Sequence, residues 1–290
     1  MKSAVHLPNF GAFGDATVLA ELAIRAEHAG WDGFFLWDHL LFCEFDLNAH
    51  ADPWIALTAV AGATSRITIG TLVTPLARRR PWELARQTVT LQNYSNGRLV
   101  LGVGLGDPTE WDFRFFGDPT DARIRAEMLD EGLEILTGLW SGSKFSFRGK
   151  HYSLEPMTFL PAPASPIPIW VGGAWPNRRP FQRAARYQGV VPLGGTVAGP
   201  DELRQVVDCI RAHRESDAPF DVVASGRTEH DEASRDLIDG YSAVATWWLE
   251  DLSPLRFGLD WPALADPWDV EALTARIDAG PVLPLGSGLR

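Results

Sequence analysis

Two periods of hydrophobic and polar residues take turns along this chain: a short apolar run of strand length, then a spacing that suits one face of a helix. The segment Arg66 to Gly106 shows the unit most clearly. The β-branched run Ile67 to Thr71 leads into a loop rich in arginine and proline. An amphipathic helix follows from about Trp82 to Tyr94, then a turn at Asn96-Gly97 and a second apolar run, Leu99 to Val103. A helical crossover of this kind makes the two strands parallel. Both strands end in small or special residues, Leu72-Val73-Thr74-Pro75 and Gly104-Leu105-Gly106-Asp107, so the loops at that end of the sheet let a ligand approach backbone.

The unit recurs along the whole chain. Ala4 to Leu7 and Gly33 to Trp37 read as the first two strands, separated by a helix from Asp15 with Val18, Leu19, Leu22, Ala26 and Ala29 on its apolar face and Gly30 as its stop. Asp52-Pro53 opens a helix to about Thr64. Asp121 to Trp140 is another, with Leu129, Leu133, Leu136 and Trp140 aligned. Lys144 to Leu154 alternates around Arg148-Gly149 as an inserted hairpin. Ile167 to Val171, Gly189 to Pro192 and Asp221 to Ala224 give the next strands, with helices from Asn177 to Tyr187 and from Pro200 between them. His230 to Gly240, Ser242 to Leu249 and Asp269 to Ala279 complete helix, strand, helix. Repeated this often within 290 residues, the unit fits a single α/β domain over 1–290, a closed (β/α)8 TIM barrel with short insertions. An open doubly wound sheet satisfies the same alternation.

Charge narrows the partners. A net charge of -11 opposes nucleic-acid binding, which relies on clustered cations, and the dense basic runs are only Arg78 to Arg80 and Arg178-Arg179. Cys43 and Cys209 suit a reducing compartment. The first residues reach Pro8 and Gly11 without the apolar core of a signal peptide, and the longest uncharged stretch, Leu160 to Asn177, carries five prolines and reads as a loop around a short strand, not a membrane span. The expectation is a soluble cytoplasmic protein. The histidines are dispersed with no HxH or HExxH, so no metal site is expected.

Barrels of this kind place their chemistry on the loops that follow the strands. After the second strand, Trp37-Asp38-His39 suits general acid-base work or a hydrogen bond to a cofactor ring, and equally suits tying down a loop. After the fourth, Gly104-x-Gly106-Asp107 permits close backbone approach with a carboxylate facing a substrate, or simply a tight turn. After the fifth, Gly172-Gly173-Ala174 precede a helix opening near Asn177 with Arg178 and Arg179, a phosphate cradle that Gly194-Gly195 would complete; a solvated helix face is the other reading of the arginines. Arg78 to Arg80 either cap their loop or meet an anion. Trp111, Phe113, Phe115 and Phe116 suit an apolar substrate cavity, and Trp247, Trp248, Trp261 and Trp268 suit core, lid or interface.

Taken together, VHLPNFG, FFLWDH at 34–39, RITIGTLVTPLARRRPWELAR, SNGRLVLGVGLG, LDEGLEILTGLWSG, PIPIWVGGAWPNRRP and ATWWLE, in that order, resemble the bacterial luciferase-like flavin-dependent oxidoreductases over nearly the whole chain. The resemblance implies a barrel holding reduced FMN, or in many relatives a deazaflavin coenzyme, across its strand ends with a small organic substrate above the ring. It implies monooxygenation with O2 or, alternatively, hydride transfer. By position it assigns Asp38 and His39 to the pair beside the ring, Leu72-Val73 to a dipeptide whose peptide bond is cis in many relatives, and Asp107 to the reacting centre. Gly104 and Gly106 fall in the cofactor-facing loop, and Gly172, Gly173, Ala174, Gly194 and Gly195 in the phosphate loops, joined by Arg178 or Arg179. It also implies a homodimer and, where FMN dissociates, a separate flavin reductase. Gln188, Leu193 and Val244 depart from the usual Asp, Thr and Gly; Leu193 in place of a phosphate-binding Thr tilts the expectation toward FMN. A flavin-binding protein without catalysis and a metal-dependent barrel hydrolase are the remaining readings.

Overall fold

Asp15, Asp52, Asp121, Asn177, Asp231 and Asp269 each accept a hydrogen bond from a backbone N–H in the first turn that follows, satisfying donors the helix cannot, and so mark where helices begin. The computed structural model describes residues 1–42, 48–193, 199–253 and 268–284. Its elements are β1 (Lys2–Leu7), α1 (Ala16–His28), β2 (Gly33–Leu36), α2 (Pro53–Ala63), β3 (Thr68–Pro75), α3 (Pro81–Tyr94), β4 (Leu99–Gly104) and the single turn α4 (Thr109–Asp112). There follow α5 (Ala122–Trp140), the antiparallel hairpin β5 (Lys144–Arg148) and β6 (Ser153–Thr158), β7 (Ile169–Gly173), α6 (Arg178–Ala184), β8 (Gly189–Pro192) and α7 (Pro200–Arg211). The last are β9 (Asp221–Gly226), α8 (Glu232–Ser242), β10 (Trp247–Asp251) and α9 (Val270–Asp278).

The sheet closes in the order β1-β2-β3-β4-β7-β8-β9-β10, with each neighbouring pair parallel and β10 returning to β1 through Lys2 opposite Trp247. This is the (β/α)8 barrel, and closure rules out the open doubly wound sheet. The turn at Asn96-Gly97 forms with both residues at positive φ, 56° and 85°. The last strand departs from the expected Ser242 to Leu249. Here α8 continues through Ser242, and the Tyr241 carbonyl then accepts the N–H groups of Val244 and Ala245, so β10 starts only at Trp247. Part of the loop after β4 is helical, as α4 and the 3-10 turn Arg114–Phe116, which the periodicity does not signal.

Two apolar layers hold the barrel. One lies between strands and helices, where Leu19, Leu22 and Ala26 of α1 and Leu129, Leu133 and Leu136 of α5 are buried. The other fills the interior, where Phe35, Trp170 and Trp247 meet at centroid distances of 5.4 to 6.1 Å. A Cβ on Gly189 would lie 2.3 Å from Trp170 Cδ1, so glycine there makes room for the indole. Trp247, Trp248 and Trp268 are therefore core residues. Trp261 and Cys43 lie outside the described residues, and Cys209 is half-buried as a free thiol.

At the opposite end from the strand-end loops, one carboxylate ties α1 to the start of β3. Glu27, 8% exposed, accepts the N–H groups of Ser65, Arg66 and Ile67 and the Ser65 hydroxyl. Burial pushes its carboxyl up, but the three amides and the hydroxyl outweigh that and hold it down at about 2. Because the folded value lies below the ordinary 4.5, the stabilisation is complete above that value and is lost as pH falls toward 2. Glu27→Gln should cost about 1–3 kcal/mol of unfolding free energy in urea at neutral pH. The difference from the unsubstituted chain should shrink on acidification below pH 4.5; a pH-independent difference would mean that the charge is not what the amides hold.

Candidate functional site

The mouth of the barrel is shaped by a slip in one strand. β3 pairs with β4 in step up to Thr71 and resumes at Thr74, so Leu72 and Val73 bulge between them, and their peptide bond is cis. The Thr71 and Thr74 hydroxyls hydrogen-bond at 2.8 Å across the bulge and are fully buried. Glycines make space for Val73: a Cβ on Gly104 would come within 2.7 Å of Val73 Cγ2, and one on Gly172 within 2.8 Å of Val73 Cγ1 and Leu193 Cδ1. Gly173 is likewise taken up by the chain itself, its Cβ position lying 2.3 Å from Pro180 Cβ.

His6, on β1, pins the bulge. Its Nε2 is 3.0 Å from the Leu72 carbonyl, and its Nδ1 is 3.3 Å from Trp37 Nε1. A carbonyl only accepts and an indole N–H only donates, so the imidazole carries its proton on Nε2. Burial, only partly offset by Asp251 and the Leu72 carbonyl, lowers its pKa to about 4, which keeps it neutral.

His39 follows β2 and is held from both sides. Asn9 donates to its carbonyl at 2.9 Å and accepts its backbone N–H at 3.1 Å. Its ring Nδ1 lies 3.0 Å from Oδ2 of Asp112, which is fully buried on α4 and also accepts the N–H groups of Leu40 and Leu41. Arg78 forms an ion pair with the same oxygen at 2.6 Å. Burial pushes the Asp112 carboxyl up, but His39, Arg78 and the Leu40 amide bring it below the ordinary range, so it stays ionised and accepts the Nδ1 proton. Nε2 is left without a hydrogen-bond partner among the described residues, on a side chain 13% exposed.

Asp38 is used up inside the protein. Arg78 and Arg79 donate to its Oδ1 at 2.7 and 2.8 Å, and Thr74 and Arg79 to its Oδ2 at 2.8 and 3.1 Å. These pairs overcome burial and keep its carboxyl below the ordinary range. Asp38 thus reaches a ligand only through the groups it positions. Two carboxylates and two guanidinium groups, with Arg78 just 3% exposed, form one charge-balanced buried network, and Arg80 remains exposed.

After β4, Gly106 turns at φ 81°, and Arg125 donates to the Leu105 and Gly106 carbonyls at 2.7 and 2.6 Å. Asp107 is exposed on this loop and makes no hydrogen bond among the described residues; it is Asp112, five positions on, that meets His39. After β7, Ala174 is exposed, Asn177 caps α6, and the exposed Arg178 and Arg179 side chains have no partner among the described residues. Gly194 and Gly195 lie outside the described residues. The departures Gln188 and Leu193 have structural partners: Gln188 accepts the Ile169 N–H and Leu193 donates to the Gly173 carbonyl. Sequence reading missed His6 and Asp112. A histidine within an apolar strand is a weak cue for the first; the second had none.

Among the described residues no three histidine, cysteine or acidic side chains group as a metal site, and no helix is long and apolar enough to cross a membrane.

Comparison with known proteins agrees with this architecture. An F420-dependent glucose-6-phosphate dehydrogenase of Nakamurella multipartita is 35% identical over 162 residues, 54% of this chain and 47% of that protein, so the chain spans about half the length of this curated relative. An uncharacterized protein of Mycobacterium tuberculosis is 30% identical over 285 residues, 92% of this chain and 93% of its own. The solved structure of an F420-dependent secondary alcohol dehydrogenase, in complex with an F420-acetone adduct, has the same fold at 19% identity, with a TM-score of 0.66 over 96% of this chain and 82% of its own. Residues 4–259 match the family model for luciferase-like monooxygenases, and the chain belongs to that family of oxidoreductases.

Proposed function

We propose that this chain catalyses hydride transfer between a deazaflavin coenzyme and a small organic substrate, with His39 Nε2 as the group that takes up or returns the substrate proton. The observation that carries the reading is the Asp112–His39 pair, which fixes the Nδ1–H tautomer and leaves Nε2 as an acceptor without a partner among the described residues. The coenzyme, when bound, supplies hydride chemistry at its ring. Val73, raised into the mouth by the bulge, would back that ring. Arg178 and Arg179, two guanidinium groups without a partner among the described residues and beside the exposed Ala174, suit its phosphate; Gly172 and Gly173, whose Cβ positions the chain itself fills, shape the strand end beside it. Asp107 lines the substrate side, and Gly104 and Gly106 shape the cofactor-facing loop. As an alcohol is oxidised, its O–H proton passes to His39 Nε2, while Asp112 steadies the resulting imidazolium; Arg78, Arg79 and Asp38 hold Asp112 in place.

The choice of deazaflavin rests on the curated relative named as F420-dependent. Leu193, where deazaflavin users often carry Thr, favours the second reading, reduced FMN and O2 with a separate reductase. A homodimer is supported by the outward side of α2, where Ile55 is 67% exposed beside Ala59 and Gly62. A cytoplasmic location belongs to the same proposal.

Titration of the purified chain with the deazaflavin coenzyme and, separately, with FMN, followed by tryptophan fluorescence, should show micromolar or tighter deazaflavin binding and weaker FMN binding. The reverse order would move the reading to FMN. His39→Ala should lower kcat by about 10²- to 10⁴-fold with coenzyme affinity unchanged. Asp112→Asn should lower it by at least roughly tenfold, because the amide no longer fixes the tautomer. Unchanged turnover in both variants would remove the pair from the mechanism.

A further inference from the structure

The rim around His39 has a chemistry of its own. Asp112 ties the segment after β4 to the loop after β2, accepting from Leu40 and Leu41 while bonding His39. That tie sets Leu40 beside the α4 region, where Trp111 stacks on Phe115 at 6.4 Å and Phe116 follows. Leu40, Phe115 and Phe116 are 45, 43 and 53% exposed. An aromatic and aliphatic surface next to a reactive histidine gains about 25 cal/mol for each Å² an apolar ligand covers.

Around Trp111–Phe116 the charges oppose an anion, the exposed Arg80, Arg178 and Arg179 lying instead on the loops after β3 and β7. Arg78 and Arg79 are committed to Asp38 and Asp112. Arg114 pairs with Glu110 and lies over the Phe115 ring at 5.0 Å, and Arg125 is held on two carbonyls. Asp107 and Asp118, on the same connection, carry no salt bridge among the described residues and would repel a phosphate. Resting on the reading of His39 given above, we infer that the molecule reacting there is uncharged and apolar, an aromatic or alicyclic alcohol or ketone seated against Trp111 and Phe115, and not a phosphorylated sugar. Phe115, exposed and adjacent to no buried ion pair, acts on which molecule enters rather than on the fold.

The test is calorimetric binding of acetophenone and of glucose 6-phosphate to the full chain, with and without saturating coenzyme, alongside Trp111→Ala and Phe115→Ala. Acetophenone should bind at least about tenfold tighter than glucose 6-phosphate, and each substitution should weaken it by roughly tenfold, as expected for losing a buried aromatic contact. Coenzyme affinity and circular dichroism should not change. Tighter binding of glucose 6-phosphate to the coenzyme-saturated chain, or acetophenone affinity untouched by both substitutions, would overturn the inference. Absence of coenzyme binding by the unsubstituted chain would instead count against the proposed function, since the effect of Trp111→Ala and Phe115→Ala on acetophenone affinity is read independently on the coenzyme-free protein.

Discussion

Burying charge is the constraint on which the site depends. Asp38 and Asp112 leave water only because Arg78 and Arg79 leave it with them, and removing any one partner would strand the others in a medium that does not solvate ions. Such a network tolerates few arrangements. It therefore fixes, at one stroke, the end of β2, the single 3-10 turn Leu76–Arg78 that follows β3, and the short helix after β4. His39 inherits its position from that rigidity, and its ring orientation from a single carboxylate oxygen.

The second requirement is space. A bulge in β3 turns Val73 into the mouth only because β4 and β7 present no side chain there. His6 then holds the bulge from beneath by accepting from one neighbour and donating to another, a role open only to a neutral imidazole. The interior below is filled by Phe35, Trp170 and Trp247, which leaves the barrel's centre closed beneath the bulge. Packing and polarity thus divide the work: aromatic rings fill the barrel, and ionic contacts position the loops at its rim.

Much of the fold was legible in the sequence. Local signals were the reason: Asp52-Pro53 as cap and first turn, Asn96-Gly97 as a turn needing positive φ, and apolar runs of strand length between helical periods. Loops declared themselves less well. Periodicity reports which residues are buried nearby, not which polar groups meet across the fold, so Asp112 gave no sign that it would reach His39, 73 positions earlier. The arginine run after β3 had two readings, and the fold realises the capping one through Asp38. The glycines of Gly172-Gly173 suggested room for a ligand, yet their Cβ positions are filled by Val73, Leu193 and Pro180 of the same chain.

Closure of the barrel joins its first strand to its last. β1 pairs on one side with β2 but on the other only with β10, and α1 meets α9 through Arg25 and Asp278 and through Trp31 and the Ile277 carbonyl. During synthesis, at about 5–20 residues per second, the ribosome must deliver the whole of the intervening chain before β1 finds that partner, a wait of some ten seconds or more. Throughout it β1 presents an open hydrogen-bonding edge, and the lysine at its start, Lys2, sits where a charge discourages other strands from adding to that edge.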